Sequence, residues 1–127
     1  MLIHKTTDYA IRLLCCLAGA KNPVPSSKLA VELGVSPRYV LHFGAMLREA
    51  GFVQVTGGPA GGFSLARSPE NISLWDVFTC MENGEGLVPT APEDTALGEF
   101  YNMVEEEFRA KLQEMTLKNL CRQKREP

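Results

Sequence analysis

Reactive and metal-ligating side chains are few in this chain, and their spacing excludes most enzyme chemistry. His4 and His42 are isolated, with no partner at metal-ligand spacing and no nucleophile motif beside them. The four cysteines are Cys15, Cys16, Cys80 and Cys121, and no two have C-x-x-C spacing. Neither Gly57-Gly58 nor Gly61-Gly62 is followed by G-K-[ST], so neither is a phosphate-cradling nucleotide loop. One cluster remains. Ser36 and Pro37 open a helix whose first-turn N–H groups and positive dipole end suit a phosphate. Arg38 and Tyr39 lie in that first turn, and His42 follows Arg38 by four residues, on the same face. This is chemistry for holding phosphates and base edges, not for making and breaking bonds. Lys28 and Arg48 are placed to add phosphate contacts, and Gly58 and Gly61 let a hairpin tip lie close to a nucleic-acid backbone. For Arg48 a solvated charge on a helix face is an equally good reading. Tyr39 has two readings, DNA contact and core packing, of which its place in the cluster favours the first.

The elements that position these residues follow from periodicity and punctuation. A largely buried helix is predicted over 7–20, started by Thr6 or Thr7 and apolar at Tyr9, Ile11, Leu13, Leu14 and Leu17. Pro23 and Pro25 break it. Ser26 or Ser27 caps a short second helix over 28–33, which Gly34 ends; Val35 is a buried turn residue. Ser36 caps a third helix with Pro37 at its first position; it runs to about residue 50, with Val40, Leu41, Phe43 and Leu47 inward and Gly51 as its stop. Residues 52–56 and 63–66 read as strands around a glycine-rich turn. Two helices joined by a glycine turn and followed by a hairpin make a winged helix-turn-helix, mainly α with a small β-hairpin. Ser73 then caps a helix over 74–82, with Leu74, Val77, Phe78 and Met81 inward; core packing is the commoner fate for its Trp75 than a ligand pocket. After a Gly- and Pro-rich loop, the longest periodic run extends from 93 to about 120. In it Leu97, Phe100, Tyr101, Val104, Phe108, Leu112 and Met115 advance by three or four residues, an apolar stripe that a second copy of the chain would cover. The divisions are a DNA-binding domain at 1–82, a linker loop at 83–95, a dimerisation helix at 96–120 and a basic tail at 121–127.

Composition narrows the class. With 127 residues, 45% of them hydrophobic and 22% charged, the chain is sized and balanced for one folded domain with an appendage, so wholesale disorder is excluded. No apolar run approaches the ~18–20 residues of a membrane span, and charged and polar residues interrupt MLIHKTTDYA before a signal-peptide core can form. A cytoplasmic protein without membrane partners is expected, and with it no disulfide scaffold. The net charge of −2 hides a split: residues 1–70 hold seven bases against four acids, net +3, and residues 71–127 hold six against eleven, net −5. A mildly basic front on an acidic back agrees with nucleic acid at the front.

The segments TTDYAIRLL, VSPRYVLHFGAMLREAGFV and GGPAGGFSLARSPENISLWDVF, in this order, resemble the Rrf-two family of bacterial winged-helix transcription regulators. The likeness covers residues 1–82 well and the long helix in outline. It implies a homodimer that binds double-stranded DNA at an imperfect palindrome, most often as a repressor. Two positions depart from the family pattern. Where an arginine commonly precedes the G-P-x-G-G wing and reads the minor groove, this chain has Gly57, and where a glutamate often follows the recognition-helix tyrosine by two, it has Leu41. Members that hold an iron–sulfur cluster carry three cysteines between the fourth helix and the long helix. Here residues 83–97 contain neither Cys nor His, so no cofactor and no cluster is expected. That leaves a thiol, a small molecule or a protein as effector. Cys80, beside the loop and the long helix, is the best placed thiol, although a small apolar core residue is the commoner role. Cys15 and Cys16 read as core, and Cys121 as part of a mobile tail whose Lys118, Arg122, Lys124 and Arg125 complement the helix dipole. The competing function is a winged helix that docks a protein rather than DNA.

Overall fold

The computed structural model describes residues 3–82, 91–92 and 94–122. Helix α1 (Lys5–Ala18) buries Thr7, Ala10, Leu13, Leu14 and Leu17 and lies at the centre of the domain. It starts at His4, before either threonine, because Thr7 has an interior task described below. Helix α2 (Ser26–Leu33) is likewise preceded by Pro25, so Ser26 is its first helical residue and not its cap. Gly34 ends α2 at φ 72°, a left-handed conformation that costs glycine little, and its amide donates to the carbonyls of Ala30 and Val31. Helix α3 (Pro37–Glu49) opens as its sequence requires: Ser36 Oγ accepts the Tyr39 amide at 3.1 Å, with Pro37 in the first turn. Its buried face is Val40, Phe43, Gly44 and Leu47. Leu41, expected inward, is 53% exposed instead, because it lies about 100° around the helix from Val40.

Strands β1 (Val53–Thr56) and β2 (Gly62–Leu65) pair antiparallel, Val53 opposite Leu65 and Val55 opposite Phe63. Phe63 also exchanges backbone hydrogen bonds with Val24, at 2.9 and 2.8 Å, so the linker between α1 and α2 serves as a one-residue third strand. Two glycines make these approaches feasible. A Cβ on Gly62, at φ 151°, would stand 2.4 Å from the Val24 backbone, and one on Gly44 would stand 2.8 Å from the Phe63 ring. Arg67 closes the hairpin base: its guanidinium lies 4.3 Å from the centre of the Phe52 ring and donates to the Ala50 and Gly51 carbonyls past the end of α3.

A short 3-10 turn (Pro69–Asn71) leads to α4 (Leu74–Met81), which begins with a reciprocal Ser73–Asp76 capping box. Helix α5 (Ala96–Glu114), capped by Thr95, packs on α4 through Phe108 against Phe78, ring centres 5.2 Å apart. Trp75 stacks on Phe78, with the Arg109 guanidinium 5.3 Å above it.

The long helix expected to reach residue 120 stops at Glu114. Met115 has φ −90° and ψ 109°; its carbonyl accepts the Leu74 amide, and the Leu117 amide donates to Ile72 at 2.7 Å. These bonds form an isolated bridge between Ser73 and Thr116, after which α6 (Leu117–Arg122) folds back onto α1. The cause is Leu117, fully buried in the main core. The one helix expected over 96–120 is therefore two, Met115 ending the first, and the tail expected from 121 begins as the last turn of α6, packed on the domain. The linker at 83–95 lies mostly outside the described residues, as do residues 123–127.

Among the described residues one carboxylate is buried. Glu82, at the end of α4, accepts from the Thr7 hydroxyl at 2.5 Å, from the His4 amide at 3.0 Å and from the His4 ring. Burial pushes its carboxyl up, but the bonds from Thr7 and His4 outweigh this and hold it below its ordinary value. A group lowered in the folded state adds stability above its unfolded pKa and loses it as pH falls through the folded one. We expect Glu82→Gln to cost about 1–3 kcal/mol at pH 7 and to flatten the acid loss of stability below pH 4.5, as measured by urea unfolding at a series of pH values. An unchanged acid limb would assign that limb to other groups.

Candidate nucleic-acid interface

Burying Val40, Phe43, Gly44 and Leu47 turns the opposite face of α3 outward. Arg38, Leu41, His42, Ala45 and Arg48 are all exposed on it. Each has another of the set three or four residues away, so they form one continuous stripe. Leu41, Ala45 and Arg48 face the wing across a cleft of about 250 Å³, closed on the other side by Val55, Gly62 and Phe63. The stripe and the hairpin thus form one surface, whose relative placement is set by the Phe63–Val24 bonds and the Gly44–Phe63 contact. Lys28, on α2, is exposed as well.

The predicted residues divide by location. Arg38, His42, Arg48 and Lys28 are exposed at the surface, and Pro37 is exposed at the helix tip. Ser36 is occupied as the cap. Since Pro37 has no N–H and the Tyr39 amide is bound to Ser36, the Arg38 amide is what this helix tip has to offer an anion.

Tyr39 has partners inside the domain. Its hydroxyl pairs with Thr6 Oγ1 at 3.0 Å, and its ring meets Tyr9 and Phe43 edge to face, at centroid distances of 5.7 and 5.1 Å. It is half-buried and holds α3 against α1; His42 stacks on its outer side at 6.3 Å. Gly61 is also interior. It is buried, its amide donates to Gly58, and a Cβ there would stand 2.0 Å from the Thr56 carbonyl oxygen, so it shapes the turn. Gly58, at φ 87°, is exposed with open space around it, as is Gly57. Leu41, which the sequence reading turned inward, and Ala45, which it did not single out, join the exposed stripe. Helical counting from the buried set 40, 43, 44 and 47 places both on the outer face.

Along α5 the apolar residues separate into two sets. Leu97, Phe100 and Met103 are more than half exposed. Tyr101, Val104, Phe108 and Leu112 are half-buried, Phe108 against Phe78. Met103 belongs to the exposed set and was absent from the predicted stripe. Cys80 is half-buried, its thiol 4.0 Å from the Met46 carbonyl; burial pushes it up, Arg67 pulls it down and Glu49 adds to the rise.

Known proteins carry the same arrangement. CymR, the global cysteine regulator of Bacillus subtilis, matches 98% of this chain and 99% of its own at a TM-score of 0.88 and 23% identity, which fixes the fold. An HTH-type transcriptional regulator of Mycobacterium tuberculosis is 28% identical over 131 residues, covering 95% of this chain and 81% of the relative. The rrf2 protein of Nitratidesulfovibrio vulgaris is 33% identical over 96 residues, covering 74% of this chain and 64% of the relative. The family model described as Rrf2, iron-dependent transcriptional regulator, matches residues 3–123. A winged helix whose outer α3 face is open to DNA, matched by that model over nearly its whole length, belongs to the Rrf2 family of transcriptional regulators.

Proposed function

We propose that this regulator binds a palindromic operator as a homodimer, each copy laying α3 in a major groove and its wing against the adjacent backbone. The observation that carries this is the outward stripe of Arg38, Leu41, His42, Ala45 and Arg48, set beside the wing by buried contacts on its other side. Arg38 is the residue for phosphate or guanine edges, Lys28 and Arg48 for phosphates. Leu41 and Val55, both apolar and exposed, suit thymine methyl groups. The same two residues are the observation that favours a protein partner, and salt separates the readings: phosphate contacts release counterions and apolar docking does not. Arg38→Ala should weaken operator binding about 10- to 100-fold, about 1–3 kcal/mol, with the dimer mass unchanged. Mobility-shift titration checks this, and unchanged affinity would remove Arg38 from the interface.

The second copy is assigned to α5. Leu97, Phe100 and Met103 present an exposed apolar patch on a helix already packed on its own domain by Phe108. Phe100→Asp should give a monomer by light scattering and leave the circular dichroism spectrum intact. A persistent dimer mass would place the interface elsewhere.

Iron does not fit the donor set. Cys80 lies beside Met46, His4 is bound to Glu82, and Cys15, Cys16 and Cys121 line a separate pocket. Among the described residues no group of three or more His, Cys, Asp or Glu side chains is arranged to hold a metal ion. The segment 83–97 has no Cys or His. Regulation without a cluster, through a thiol, a small molecule or a protein, is the reading this supports. Protein purified without oxygen should contain far less than one iron per chain by elemental analysis; stoichiometric iron with a thiolate charge-transfer band would contradict it.

A further inference from the structure

Three of the four cysteines converge, although they come from opposite ends of the chain. Cys15 and Cys16 on α1 and Cys121 on α6 line one pocket of about 570 Å³, together with Glu32 and Leu120. Cys15 and Cys121 line the same pocket from facing helices, and both are half-buried. The convergence is built by the fold: Leu117, fully buried and bonded to Ile72, seats α6 on α1, and Cys121 follows one helical turn later.

We propose that Cys15 and Cys121 form a reversible intramolecular disulfide when the protein meets a hydroperoxide, clamping α6 to α1. Burial first, and then the neighbouring Cys121 and Cys16, push the Cys15 thiol up to about 12, which makes it the slower of the two to react. Cys121, in the last turn of α6 and on the pocket wall, is the thiol assigned to meet the oxidant. Its thiolate attacks the peroxide: an S–O bond forms, the O–O bond breaks, and the leaving alkoxide takes the thiol's proton to become an alcohol. The Cys15 sulfur then attacks the sulfenic acid. The S–S bond forms, the S–O bond breaks, and hydroxide leaves as water with the Cys15 proton. Two thiols and one hydroperoxide give one disulfide, one alcohol and one water. The clamped helix is the one whose Tyr9 supports Tyr39 of α3. Any effect on operator affinity rests on the function proposed above, whereas the thiol chemistry does not, so the two fail separately.

The test uses the full chain, reduced and then given one equivalent of cumene hydroperoxide, quenched with N-ethylmaleimide and mapped by mass spectrometry without reduction. Free thiols should fall from four to two, with a linked peptide pair spanning the α1 and α6 cysteines and full reversal by dithiothreitol. Cys121→Ser and Cys15→Ser should each abolish the link, while Cys16→Ser and Cys80→Ser should leave it. Four free thiols after treatment, a link that survives Cys15→Ser, or a Cys121 link only between two copies would each overturn the proposal. Circular dichroism of each variant separates loss of the link from loss of the fold.

Discussion

Phe63 fixes where the wing stands relative to the recognition helix. Its amide and carbonyl are both bonded to Val24, and its ring lies under Gly44 so closely that a single methyl group there would collide. Three segments distant in sequence, the α1–α2 linker, α3 and the hairpin, are thereby held in one arrangement. The hairpin has little rigidity of its own: two four-residue strands would be marginal alone. It inherits its shape from this buried contact, and glycine at 44 and 62 is the condition for it.

The other end of α3 is governed by the same logic. Tyr39 reaches Thr6, Tyr9 and Phe43, so the first turn of the recognition helix is anchored to α1. Helix α1 is in turn tied at its start to Glu82 and covered near its end by α6. Buried polar bonds and aromatic edges on the inside leave the outside free for charges. The +3 front of the chain is thus placed on surfaces, not in the core.

Much of this was legible before the structure. Ser36-Pro37, Gly34, Gly51 and Ser73 are local signals whose physics is complete within a few residues, and each acts as expected. What was not legible depends on partners far away in sequence. The periodicity through 112–120 continues smoothly, and only the burial of Leu117 against residues near Ile72 breaks the helix at Met115. Tyr39 sits in a DNA-contact pattern but finds its partners on α1. Cys121 looked like a tail residue because nothing local announces that α6 folds back to Cys15. Leu41 is the exception, since the helical count alone places it outside.

The most direct measurement is a selection of genomic DNA fragments by the purified full chain, repeated at about 50 and 200 mM salt. An interface built on α3 and the wing of a dimer requires enrichment of one palindromic sequence, with affinity falling steeply between the two salt concentrations. Enrichment of no sequence, or binding indifferent to salt, would contradict it.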